Sequence, residues 1–273
     1  MIQDYKQLTA EQHELLEKQT QRVVVQALQE YSQEAKDIFD STNAQVESEI
    51  TPLAEDLTQY ALEVAECYPI NKRFAGFIDY KRVRWMSTPF GIIPQVLLVD
   101  AKASTENNRE TLQQSQLCMD ADFEVTDKTG RPKIERLNAG VPPHQILIGY
   151  GAKQIPVVTT SIFVHFFYED ISSIEPPYRR LIAINSVSMP HQRFKPKYNQ
   201  DPRASFFGQG KHSSARQEKQ RIRVYYERLK AACPWRLQEL KFENGVNYAT
   251  PRWRDTDLAT GAETLTAFDF FAR

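Results

Sequence analysis

The chain has 273 residues, of which 41% are apolar, 25% charged and 11% aromatic, and its formal net charge is −1. That balance excludes a disordered chain and allows one large or two modest packed domains. No apolar run approaches the roughly 20 residues that span a bilayer, and the start MIQDYKQLTAEQ lacks the basic flank and apolar centre of a signal peptide.

Residues 9–40 predict a long amphipathic helix. Thr9 suits the N-cap, with Gln12 three residues on, and Leu16, Val23, Val24, Leu28, Tyr31, Ala35 and Ile38 recur at helical spacing. A second helix follows Pro52, with Leu53, Leu57, Tyr60, Ala61 and Val64 as its apolar stripe. Two strand-like runs come next, 76–86 and 95–104. The link Ser87 to Pro94 carries Pro89, Gly91 and Pro94 and reads as a turn. Residues 105–119 are polar and read as a helix. Residues 120–143 read as a surface insertion, with Asp127-Lys128-Thr129-Gly130 and Pro142-Pro143 as turn signals. Two further buried strands are expected at 156–167 and 181–188. A long basic loop follows at 189–213, of a length that more often serves function than idles. Ser214 to Cys233 reads as a basic helix. The order of elements predicts an α/β fold, a mixed sheet of five or six strands flanked by helices. The cysteines Cys67, Cys118 and Cys233 are odd in number and lack close spacing, which fits a reducing cytoplasm better than a disulfide framework or a cysteine-ligated zinc.

The near-neutral net charge hides a segregation. Residues 1–66 hold 14 acids against 4 bases, and residues 178–230 hold 13 Lys/Arg against 3 acids. The basic stretch is interleaved with Tyr178, Phe194, Tyr198, Phe206 and Phe207. A solvated basic face is the bland account. The density favours an electrostatic footprint for nucleic-acid phosphate.

The chemistry concentrates in QVLLVDAKAS, residues 95–104. Its apolar run ends in Asp100-Ala101-Lys102. Strand alternation puts Asp100 and Lys102 on one face and Val99, Ala101 and Ala103 on the other. A core strand has no structural use for such groups unless they are paired or bind a metal. Acid-x-Lys occurs five times, beginning at Asp4, Glu34, Asp79, Asp100 and Glu239, so the spacing alone selects none. The rival at Asp79 lies on a run with Lys81, Arg82 and Arg84, as an edge or DNA-facing strand would. Only Asp100-Lys102 both ends an apolar run and follows a strand-borne carboxylate, Asp79.

Mg²⁺ takes hard oxygen ligands and keeps several waters. Asp79, Asp100 and the main-chain carbonyl of Ala101 therefore form a candidate metal site, with Lys102 placed to orient or deprotonate water and to offset negative charge. The alternative is a structural ion pair. Glu55, in the second helix, is a further candidate acid, against a solvent-facing glutamate. The five histidines show no HxH or HExxH spacing, which argues against zinc. Gly208-Gln209-Gly210-Lys211 is not a phosphate loop, because Ser205 replaces the first glycine and His212 the closing Ser/Thr.

The blocks PINKRFAGFIDYKRVRW (69–85), PQVLLVDAKASTE (94–106), VTTSIFVHF (158–166), SFFGQGKHS (205–213), RIRVYY (221–226), CPWRLQEL (233–240) and PRWRD (251–255) span most of the chain. Together they resemble type II restriction endonucleases of the PD-(D/E)xK superfamily, and within it rare cutters of interrupted GGCC half-sites. The resemblance implies a restriction-endonuclease-like fold, with Asp79, Asp100 and Lys102 as the catalytic set and Mg²⁺ as cofactor. It implies double-stranded DNA as substrate, cut at paired GGCC half-sites with a five-base spacer to leave 3′ overhangs. Ile78 stands where the superfamily name has proline, a position loosely kept. Base reading is implied for Lys211, Arg221 and Arg223, and for Arg109, where a phosphate contact is an equal alternative. Arginine and lysine pair with guanine O6 and N7 in the major groove, which suits a G·C target. On a helix Arg221 and Arg223 would point about 200° apart; on a strand or extended turn they share a face, so joint reading speaks against a plain helix there. A palindrome requires at least a homodimer, and the resemblance suggests a tetramer in a bacterial cytoplasm, with no membrane partner, as half of a restriction-modification system. Two other readings are a repair or recombination nuclease of the same superfamily, and a non-catalytic DNA-binding protein on the same fold.

Overall fold

The computed structural model describes residues 4–46, 50–64, 70–73, 78–105, 111–113, 117–127, 129–140, 147–210, 221–243, 247–248, 252–257 and 259–267. Helix α1 (Ala10–Glu30) starts at the expected cap: the Gln12 N–H donates to Thr9 Oγ1 at 3.2 Å and the Thr9 N–H to Gln12 Oε1 at 2.9 Å. The expected long helix is two helices. It breaks at Tyr31 and resumes as α2 (Ser32–Ser41). At the break the Ser32 hydroxyl donates to the Gln29 carbonyl at 2.6 Å, a side chain competing with the helical ladder. Helix α3 (Ile50–Val64) buries Ile50, Ala54, Thr58, Ala61 and Leu62. Its stripe is rotated from the expected one. Tyr60 and Val64 are exposed, and the Tyr60 ring meets Tyr31 edge-on at 5.1 Å.

Strands β1 (Ile70–Arg73), β2 (Tyr80–Thr88) and β3 (Gly91–Ser104) follow. The turn between β2 and β3 is only Pro89-Phe90, and Gly91 takes a φ of 132° that disfavours a side chain. Most of the expected link is therefore strand. Pro94 pairs with Trp85, while the other neighbour of β3 first pairs at Gln95. At Pro94 the strand has one neighbour only, the setting in which sheets tolerate proline.

The helix expected over 105–119 is not formed where that region is described. Thr111–Gln113 is β4, and 117–120 is irregular. Local polarity suggested a helix, but pairing with a distant strand overrides it. The stretch expected as a surface insertion contains the hairpin β5 (Ala121–Thr126) and β6 (Pro132–Leu137). One face of it enters the core through Phe123, Val125 and Leu137. A second hairpin, β7 (Leu147–Tyr150) with β8 (Lys153–Pro156), leads into the long strands β9 (Val158–Ile171) and β10 (Tyr178–Met189).

The basic loop is built rather than idle. It holds a 3-10 turn, α4 (Lys195–Tyr198) and β11 (Phe207–Gln209). The helix expected over 214–233 is corrected to β12 (Arg221–Val224) followed by the short α5 (Tyr226–Ala232). β12 has a partner on each side, β11 and β4, and buries Ile222 and Val224 in alternation. A 3-10 turn, Pro234–Arg236, enters β13 (Leu237–Glu243). β14 (Asn247–Tyr248) and the hairpin of β15 (Arg252–Thr256) and β16 (Glu263–Ala267) complete the described chain.

The main sheet runs β1-β2-β3-β9-β10-β13-β14. β2, β3, β9, β10 and β13 form its body, and short pieces extend each edge. β3 and β9 are parallel and the other pairs antiparallel, so the sheet is mixed. Helices α1 and α2 pack on β10, and α3 on β3. Val96, Leu97, Val99, Val164 and Val187 lie fully inside. Cys118 and Cys233 are buried free thiols, and burial pushes the Cys118 thiol up to about 12. Cys67 lies outside the described residues. Among the described residues no helix is long and apolar enough to cross a membrane.

Candidate active site

Asp79 stands one residue before β2, whose register pairs Tyr80 with Val99. That register carries Asp79 beside Asp100 and Ala101, and Asp79 Oδ2 accepts the Ala101 N–H at 2.7 Å. Lys102 Nζ lies 2.9 Å from Asp100 Oδ2, on the shared face that strand alternation requires. The Asp100 side chain is 7% exposed and that of Lys102 31%, so the site opens at the ammonium.

Glu55, half-buried on α3, completes an acidic group. Its carboxyl is raised above the ordinary range by burial and then by Asp100 and Asp56, against the pull of Lys102. Asp79 is raised to about 6. Burial is the main cause and the charges of Asp100 and Glu55 add to it, while the Ala101 N–H and Lys102 oppose it. Acids gathered around one ammonium repel one another, and a cation relieves that repulsion. The donors at hand are the carboxylates of Asp79 and Asp100 and the carbonyl of Ala101, all hard oxygens. Among the described residues, no three His, Cys, Asp or Glu side chains close into a full ligand cage. A partial set of one or two carboxylates completed by water is the mode that suits Mg²⁺, so the residues present fit that ion.

The Asp79-x-Lys81 rival dissolves into the same site, because Asp79 belongs with Asp100. The expectation that β2 is an edge or DNA-facing strand is overturned. β2 lies between β1 and β3, and Arg82 and Arg84 are 4% and 1% exposed. Arg82 pairs with Glu63 of α3 and lies over the Tyr80 ring.

The basic segment is not one continuous surface either. Arg179 is buried and donates to the carbonyls of Asn43, Ala44 and Val46. Arg180 pairs with Glu169, Lys195 with Asp122, Lys197 with Glu14 and Lys230 with Glu227. Much of the charge segregation is thus answered inside the molecule.

Arg223 remains on the surface. It is exposed on β12, with its guanidinium 5.2 Å from the centre of the Tyr225 ring. As β12 is a strand, Arg223 projects to the face opposite the one on which Ile222 and Val224 are buried. The side chain of Arg221, and all of Arg109 and Lys211, lie outside the described residues. Gly208 of β11 sits opposite Arg223, and a Cβ there would come within 2.6 Å of the Tyr225 ring. Only glycine leaves room for this platform. A basic helix over 214–233 gives no sign of Tyr225 as this platform; the glycine beside Phe206 and Phe207 is the available sign of close backbone approach.

The fold is that of restriction endonucleases. The solved structure of the restriction endonuclease BglI, bound to its DNA recognition sequence, matches in fold with a TM-score of 0.61 at 15% identity, over 85% of this chain and 91% of the other. A solved structure of the tetrameric restriction endonuclease SfiI bound to cognate DNA matches over the whole of both chains, with a TM-score of 0.89 and 56% identity. The type II restriction enzyme SfiI of Streptomyces fimbriatus is 57% identical over all 273 residues. The family model for the type II restriction enzyme SfiI covers residues 14–240, and the chain belongs to that family.

Proposed function

We propose that the chain is a Mg²⁺-dependent endonuclease that cuts both strands of DNA at an interrupted palindrome of GGCC half-sites with a five-base spacer, leaving 3′ overhangs. The observation that carries this is the Asp79 carboxylate seated on the Ala101 N–H beside the Asp100–Lys102 pair. Asp79, Asp100 and the Ala101 carbonyl would hold the metal. Bound there, Mg²⁺ would supply Lewis acidity toward the scissile phosphate and a water. Lys102, held by Asp100 at the open end of the site, orients the attacking water and offsets the charge that grows on phosphorus oxygens. Glu55 stands behind as an outer acid. The related SfiI structure is a tetramer on cognate DNA, and this chain is proposed to assemble likewise and engage two sites. Family membership favours this reading over a repair or recombination nuclease. Incubation with Mg²⁺ and a plasmid carrying two such sites should give two fragments; random nicking, or no cleavage, would sink the proposal.

Two further results are expected. Cation binding displaces the proton from Asp79, whose raised pKa is about 6. Affinity for Mg²⁺ therefore falls as pH drops through that value and levels off well above it. Calorimetric titration of the DNA-free protein measures this, and a flat profile would remove Asp79 from the ligand set. Arg223→Ala should cost about 1–3 kcal/mol in binding to the cognate site and little on unrelated DNA. Equal losses on both would make Arg223 a phosphate contact.

A further inference from the structure

We propose that His165 is a positioning residue that couples the base-reading strand to the cutting strand through Ser104 and Tyr226. The inference rests on the roles proposed above for β12 and for Asp100 and Lys102. In the parallel pairing of β3 with β9, His165 stands directly beside Lys102. Paired residues share a face of the sheet, and by the two-residue period Asp100 and Ser104 share it as well. His165 is 1% exposed. Its Nε2 is 2.7 Å from Ser104 Oγ, and its Nδ1 is 3.4 Å from the Tyr226 hydroxyl. A neutral imidazole offers one donor and one acceptor, and each hydroxyl can play either part, so both tautomers complete the chain Ser104–His165–Tyr226. Neighbouring rings set the imidazole plane. Phe163 lies parallel to it at 5.9 Å and Tyr226 meets it edge-on at 6.3 Å.

The location gives this bridge its meaning. Ser104 ends β3, two residues beyond Lys102. The chain past it returns as β4, which pairs with β12. Tyr226 opens α5 immediately after Tyr225, the platform under Arg223. The bridge therefore ties the start of α5 to the end of β3 across the gap that β4 and β12 span by main-chain pairing. Packing alone would be served by an apolar residue at lower desolvation cost. A directional polar chain accepts only one relative placement of β3 and α5. Seating of β12 on the correct bases is then felt at Ser104, and so at Lys102.

Tyr226→Phe keeps the ring and removes only the hydroxyl, and Ser104→Ala leaves the strand in place. The singles and the double are compared with the unaltered full-length chain. Single-turnover cleavage is measured in Mg²⁺, and DNA binding without metal, on a duplex with interrupted GGCC half-sites and on one with a single G·C pair changed. Each single variant should bind the cognate duplex as the unaltered chain does and cleave it about tenfold more slowly, the scale of one buried hydrogen bond. Its preference over the altered duplex should fall by a similar factor. The double variant should be no slower than the slower single, because both changes break one chain. Rates within about twofold of the unaltered chain, losses that multiply, or binding that falls as far as cleavage would each overturn the proposal. An unaltered chain that does not cleave overturns the reading of the site and this inference with it, and that failure is told apart because no variant is needed to see it.

Discussion

Lys102→Ala should lower single-turnover cleavage by about a thousandfold or more while leaving metal-free affinity for DNA within a few-fold. The Lys102 ammonium is paired to Asp100 at 2.9 Å, and its side chain is only 31% exposed. Its charge is largely spent within the site, so its loss touches the reaction more than the docking. Asp100→Asn should be as damaging to cleavage and opposite in sign for metal-free binding. It removes a carboxylate that repels the incoming phosphate, so affinity rises. The competing account, a structural ion pair, makes different demands. A partly exposed pair contributes at most about 1 kcal/mol of stability, so both variants would then cut normally and melt slightly earlier. Gel-shift titration beside single-turnover cleavage separates the accounts.

Arg236→Met should destabilise the protein by about 3–5 kcal/mol at neutral pH, the cost of breaking a buried pair by removing one partner. Arg236 and Glu17 are both fully buried, with Arg236 Nη2 2.6 Å from Glu17 Oε2. The His191 N–H adds a bond to Glu17 Oε1 at 3.0 Å. The pair ties α1 to the entrance of β13, and through His191 to the loop that carries β11. Burial already pushes the Glu17 carboxyl up, and the guanidinium opposes that. Without Arg236 the carboxyl rises further. An acid whose folded pKa lies above its unfolded value loses stability as pH rises, so part of the variant's deficit should be recovered on acidification. Glu17→Leu combined with Arg236→Met leaves no orphan charge and should melt above the single variant. Urea unfolding at two pH values tests both statements. A double variant as weak as the single would show that shape, not charge, holds this junction.

How far the residues could be read depended on how local the cause was. The Thr9–Gln12 cap, the buried run Val96–Val99 and the shared face of Asp100 and Lys102 each follow from spacing within a few residues, and the structure has all three. Asp79 could be nominated because its strand precedes β3 directly, and hairpin neighbours are adjacent in space. Helical geometry alone set the joint use of Arg221 and Arg223 against a plain helix, and the backbone there is the strand β12.

The largest misreading, helix for strand, falls on pairings between distant segments. β4 and β12 read as helix because polar residues with scattered apolar ones are ambiguous in isolation. β4 pairs with β12, about a hundred residues away in the chain, and β12 lies between β4 and β11, so that pairing overrides local propensity in both. The same holds for charge. Counting acids and bases showed a basic segment, but not that Arg179 is consumed by carbonyls of the 43–46 turn or Lys197 by Glu14. The sequence by itself marked Asp100 and Lys102 as candidates for chemistry, because a carboxylate and an ammonium at a strand end have few structural uses. The packed fold was needed to set Asp79 on the Ala101 N–H, Glu55 within electrostatic reach of Asp100 and Lys102, and His165 beside Lys102. Those placements depend on strand register and helix docking, which come from burial summed over the whole core rather than from any stretch of chain read alone.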